Sequence, residues 1–85
     1  MMKITYVASK YETPEKTLEK LHAQKLPYMA SGPDYVMGEH ECRSAEEWQE
    51  WFVAEQLQTL SQEGFLYVYL LEGDSLRGPI FPVEG

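Results

Sequence analysis

Ser44-Ala45-Glu46-Glu47-Trp48-Gln49-Glu50-Trp51-Phe52 (residues 44–52) opens the longer helix of this chain, and Phe65-Leu66-Tyr67-Val68-Tyr69-Leu70-Leu71 (residues 65–71) follows as its strongest strand. The first stretch begins with a capping box. Ser44 is placed to accept from the N–H of Glu47, while the Glu47 side chain reaches back to the N–H of Ser44. From there the helix runs to about Gln62 and stops at Gly64, which can adopt the left-handed turn that closes a helix. The second stretch is β-branched and aromatic, which suits a pleated sheet.

Working outward, Ile4-Thr5-Tyr6-Val7-Ala8 reads as a first strand. Thr13 can cap a helix for which Pro14 supplies the first residue, since proline lacks an N–H that the helix would leave unpaired. Leu18 and Leu21 recur at helical spacing, and the helix should end near Gln24, with Pro27 as its stop and Ser31-Gly32-Pro33-Asp34 as loop. Tyr35-Val36-Met37 begins a second strand that reaches toward Glu41. After residue 71, Glu72-Gly73-Asp74-Ser75 turns into a C-terminal strand from Leu76, confined to an edge by Gly78-Pro79 and Pro82. The order β-α-β-α-β, with that terminal strand, predicts one α+β domain over residues 1–85. Its two helices are expected on one face of a three- or four-stranded, partly antiparallel sheet.

Charge is divided unevenly. Residues 1–25 carry five Lys against three Glu (+2), and residues 26–85 carry eleven acids against Arg43 and Arg77 (−9), giving the net −7. An acidic surface repels phosphate backbones, so direct nucleic-acid binding is disfavoured. In the basic quarter, Glu12, Glu15 and Glu19 interleave with Lys16 and Lys20 as expected of a solvated helix laced with ion pairs. At 85 residues the chain buries only roughly 60% of its unfolded surface, which leaves little room for a deep active site. Apolar residues at 44% and aromatics at 13% still suffice for one core. The longest apolar run is the seven residues Phe65 to Leu71, against about 20 for a bilayer crossing, so no membrane partner is expected. The single Cys42 and the lack of an apolar leader in the first thirty residues predict a reducing, cytoplasmic setting.

No motif assigns catalysis. Gly73-Asp74-Ser75-Leu76 spells the signature of the GDSL esterases and lipases, a resemblance of four residues that implies Ser75 as nucleophile. That family draws its Asp and His from far downstream, whereas nine residues follow Leu76 here and none is His. A turn between two strands uses the same residues, and that reading is adopted. Glu39-His40-Glu41-Cys42 groups potential metal ligands, but alternation on a strand leaves only His40 and Cys42 on one face, and zinc needs three or four ligands. No metal, cofactor or catalytic residue is therefore assigned.

The aromatics suggest surfaces instead. On a helical projection Ala45, Trp48, Phe52, Val53, Leu57 and Leu60 share the core face, and Trp51 lies roughly 60° beyond Trp48 with Glu47 and Glu55 as its i−4 and i+4 neighbours. A partly exposed Trp rimmed by acids has the composition of an interaction hot spot. Along residues 65–71, Leu66, Val68 and Leu70 face one way, and Phe65, Tyr67, Tyr69 and Leu71 the other. If both helices cover the aliphatic side, the Tyr face is open to a partner; otherwise the tail with Ile80 and Phe81 folds over it.

The expected function is a non-catalytic, acidic protein-binding module that inhibits or regulates a partner through the partner's basic surface, one that could itself grip nucleic acid. Glu46, Glu47, Glu50, Trp51, Glu55, Tyr67 and Tyr69 are its candidate partner-binding residues. In size and charge, though by no motif, the chain resembles phage-encoded inhibitors of host defence such as anti-CRISPR proteins. Strict DNA mimicry is less well matched, because duplex DNA presents a charge about every 1.7 Å of axis and one acidic helix is sparser. The alternative is a small assembly subunit that homodimerises through the Tyr-rich sheet face.

Overall fold

A computed structural model describes residues 1–24 and 34–80. The expected stop at Pro27, the loop over residues 31–33 and the position of Phe81 lie outside the described residues. The elements are β1 (Met2–Ser9), α1 (Pro14–Gln24), β2 (Tyr35–Cys42), α2 (Ala45–Phe52), a π-helical turn (Val53–Leu57), α3 (Gln58–Gln62), β3 (Tyr67–Glu72) and β4 (Ser75–Arg77). The four strands form one antiparallel sheet in the order β2-β1-β3-β4, so the class is α+β as the sequence indicates.

Within that class, the placing of both helices on one face is corrected. Successive residues of β1 point to opposite sides. Ile4, Tyr6 and Ala8 join Val68, Leu70 and Cys42 in a cluster closed by Trp48, Phe52 and Leu60, all from the α2–α3 side. Val7 instead joins Tyr35, Tyr69 and Leu76 in a second cluster, against which Leu18 and Leu21 of α1 pack. Each helical unit thus covers its own face. The physical reason is that the two central strands are apolar on both sides, with Val7, Ala8, Val68 and Tyr69 wholly buried, and one layer of helix cannot dry both. The unbroken apolar run of residues 65–71 carries that signal in the sequence.

Local chemistry fixes the ends of the elements. Thr13 Oγ1 accepts from the N–H of Lys16 at 3.3 Å, and Pro14 opens α1. The start of α1 is tied to the sheet by a buried hydroxyl pair, Ser9 Oγ to Thr17 Oγ1 at 2.8 Å, and the Tyr11 N–H donates to Ser9 Oγ at 2.9 Å. At the far end of α3, the Phe65 N–H donates to the Leu60 carbonyl at 2.9 Å and the Gly64 N–H to that of Ser61 at 3.0 Å. Gly64 sits at φ 94°, so this is a Schellman closure, with Leu60 and Phe65 making its apolar contact inside the first cluster. Phe65 consequently precedes β3 and belongs with the aliphatic residues rather than with the tyrosines.

The π-helical turn decides which side chains of the long helical rod face the core. Eight residues of plain α-helix rotate through roughly 800°, which would carry Leu60 roughly 80° away from Phe52. A turn bonded i→i+5 advances less per residue and cancels most of that rotation. Phe52 and Leu60 are accordingly both buried on one line. Val53, expected in the core stripe, is turned outward instead at 49% exposure, and Ala45 is exposed too.

Candidate functional site: an acidic ridge beside a stacked tryptophan

Ser44 has extended backbone and its Oγ accepts from the Glu47 N–H at 3.2 Å, which starts α2 where the sequence places it. The reciprocal half of the capping box does not form among the described residues, so the Glu47 carboxylate stays in solvent. Trp48 and Phe52 turn inward. By helical geometry the opposite side carries Glu46, Gln49, Glu50, Val53 and Ala54, which line one shallow depression. Glu46, Glu47, Glu50 and Glu55 are all exposed, and among the described residues none of them makes an ion pair. Glu46 and Glu47 lie in the first turn, where a carboxylate favours the helix dipole. Glu50 and Glu55 lie beyond the reach of that effect and have no such local role.

Trp51 is half-buried at the edge of the ridge. Its indole stacks flat on the His40 imidazole of β2, with ring centroids 3.7 Å apart and planes 5° from parallel. Behind it stand Tyr6 at 6.1 Å and Phe52 at 6.3 Å. One face of the indole is thus committed to His40, and the ring is held rigid. The sequence reading missed His40 as the support of Trp51, because nothing local links a strand residue to a helix residue eleven positions later. It also missed Gly38, over which the Tyr6 ring lies: a Cβ built there would come within 2.5 Å of the phenol oxygen.

Tyr67 and Tyr69 do not join this site. Tyr69 is 0% exposed beneath α1 and donates its hydroxyl to the Tyr11 carbonyl at 2.8 Å, and Tyr67 is half-buried against the same cluster. The open Tyr face expected from alternation is therefore corrected, and what closes it is α1. Ile80 goes to the other face: its N–H donates to the Val68 carbonyl at 2.8 Å and it packs on the α2 side.

The remaining motifs resolve as local structure. Gly73 at φ 63° and Asp74 form the two-residue turn of the β3–β4 hairpin, with Glu72 opposite Ser75. Ser75 is exposed, and no hydrogen bond joins it to a histidine among the described residues. Cys42 is buried, and no three His, Cys, Asp or Glu side chains converge on one point among the described residues. No helix there is long and apolar enough to cross a membrane. Lys16 and Lys20 form no ion pairs with the glutamates of α1 among the described residues; their ammonium groups lie 5.8 and 5.7 Å from the Tyr11 ring centre, a cation–π arrangement.

Burial raises the phenol pKa of Tyr6, Tyr35 and Tyr69 above the ordinary value near 10, the last offset in part by a hydrogen bond with Thr17. These groups stay neutral in the fold while their unfolded counterparts ionise. Stability is therefore level below about pH 10 and falls as pH rises through the raised values, because the unfolded chain then binds fewer protons. In an alkaline titration, the share of tyrosinate absorbance that belongs to these three of the six tyrosines should grow together with the loss of far-ultraviolet circular dichroism. Full ionisation ahead of unfolding would contradict this placement of the rings.

No protein-family model, curated protein or solved structure matches the chain, so the ridge is read on its own geometry.

Proposed function

We propose that the chain is a non-catalytic binding module that engages the basic surface of a protein partner through Glu46, Glu47, Glu50, Glu55 and Trp51. The observation that carries this is Glu50 with Glu55: two exposed carboxylates without an ion pair among the described residues, outside the first turn, on the helical unit that also exposes Val53. Acids serving only to start a helix would stop at Glu47. The mixture of an apolar spot, a rigid tryptophan edge and a charged surround matches the make-up of interface centres and rims. A partner surface that normally grips nucleic acid would be blocked by such contact, which makes inhibition its natural consequence.

The test is affinity capture from the native cell, followed by binding of the purified partner. Reversing both Glu47 and Glu50 to Lys should weaken binding by tenfold or more, about 1.4 kcal/mol per decade, chiefly through a slower on-rate. Raising salt toward 1 M, where the Debye length shrinks to about 3 Å, should have the same effect on the unmodified protein. Binding that survives both the reversal and Trp51→Ala sinks the proposal. A dimer through the Tyr face is not proposed, since Tyr69 lies under α1.

A further inference from the structure

The sheet ends at β2 on one side and at β4 on the other among the described residues, and the two edges are unlike. β4 is three residues long and runs into Gly78-Pro79. β2 is eight residues long, pairs with β1 in unbroken register from Met2↔Cys42 to Ser9↔Tyr35, and contains neither a bulge nor a proline. Short length, proline, bulges and charged side chains are the usual means of blunting an edge; β2 has none of the first three and carries charge in Glu39 and Glu41, which repels an acidic strand and admits a basic one.

The direction of its free backbone groups follows from one bond. The Lys10 N–H donates to the Asp34 carbonyl at 3.1 Å, and these two residues continue the β1–β2 register by one pair. In an antiparallel ladder, directly bonded pairs recur at every second position. Ala8/Val36, Tyr6/Gly38, Ile4/His40 and Met2/Cys42 are then the bonded pairs, and Met37, Glu39 and Glu41 turn their N–H and C=O groups away from β1. The bond from the Ile80 N–H to the Val68 carbonyl, on the far side of β3, obeys the same alternation.

The side chains on this edge select what can pair with it. Glu39 and Glu41 project to one face, where the exposed Lys3 lies 3.8 Å from the Glu39 carboxylate. On the other face His40 carries Trp51, whose helical neighbours are Glu47 and Glu55. A second copy is a poor match. Antiparallel pairing of β2 with itself about Glu39 sets that carboxylate against its own copy, and like charges directly opposite are destabilising.

We infer that β2 is the docking edge for an extended, Lys- or Arg-bearing segment of a partner, which adds to the sheet as a fifth strand through the outward amides and carbonyls of Met37, Glu39 and Glu41. This rests on the basic-partner reading above and specifies how the partner is held: main-chain bonds give affinity, and Glu39 and Glu41 give the preference for cations.

Amide exchange followed by NMR tests it. The probes are a short synthetic peptide alternating arginine and valine, the same peptide N-methylated at alternate residues, and a lysine–alanine helical peptide of equal charge. The Arg–Val peptide should slow exchange at Met37, Glu39 and Glu41 by about tenfold or more, leave the already bonded Gly38 and His40 unchanged, and lose the effect on N-methylation and in Glu39→Lys/Glu41→Lys. If the peptides shift only α2 resonances and protect none of the three amides, strand addition is wrong while the basic-partner reading stands. If no basic peptide binds at low salt, both fail. Protection of the three amides in the free protein that deepens with its concentration would assign the edge to a second copy and overturn the inference.

Discussion

Phe52→Ala should lower the free energy of unfolding by about 3–5 kcal/mol, the usual cost of emptying an aromatic site in a core that cannot collapse around it. Phe52 is 0% exposed, with Tyr6 packed edge-on at 5.1 Å, Trp48 stacked at 5.1 Å and Trp51 at 6.3 Å. None of these neighbours can fill the void alone. Tyr6 is anchored in the central strand, and Trp48 and Trp51 share the helix that carries Phe52. A domain of this size has on the order of 4–13 kcal/mol of stability, so the variant loses a large part of its margin. Urea denaturation followed by Trp48 and Trp51 fluorescence measures it directly. A loss below about 1 kcal/mol would mean that the aromatic cluster is loosely packed and that its geometry here is wrong.

Gly38→Val should also destabilise the fold, for the opposite reason. No unusual backbone requires glycine at this position; the requirement is steric. A Cβ would lie 2.5 Å from Tyr6 Oη and 2.7 Å from Cζ, well inside contact distance. The far end of an exposed tyrosine would swing aside cheaply, but this ring is buried and contacts Trp48, Trp51 and Phe52. Overpacking of this kind costs about 1–3 kcal/mol, and more when backbone has to move. The check is a double-mutant cycle: Tyr6→Leu, harmful alone, should recover part of the loss when combined with Gly38→Val, giving a coupling of about 1 kcal/mol or more. Strict additivity would show that the ring does not lie over Gly38.

These two sites differ in how far the sequence foretells them. Phe52 was legible, because its spacing from Trp48 and the capping box at Ser44 place it on the core stripe. Gly38 was not, since its meaning depends on which residue β1 sets opposite it. The same division runs through the candidate site. The exposure of Glu46, Glu47 and Glu50 follows from helical phase within one turn or two of a well-marked start. Val53 stands outside the core because it lies about 100° round the helix from Phe52, and the π-helical turn that follows brings Leu60 back in line with Phe52, which narrows the core stripe; no local propensity announces an i→i+5 turn. Tyr69 was misplaced because alternation separates two faces without saying what covers either.

The sequence by itself determined the order of the elements, the ends of the helical units and the β3–β4 turn, since caps, prolines, glycines and hydrophobic period act over a few residues: Thr13-Pro14, Ser44, Gly64 and the Gly73-Asp74 turn mark them. Tertiary structure decided which side of the sheet each helix took, that Tyr69 went under α1, and that His40 met Trp51. Those outcomes depend on strand order and on the burial of both faces of β1 and β3, and such contacts join residues far apart in the chain, whose mutual placing no local pattern encodes.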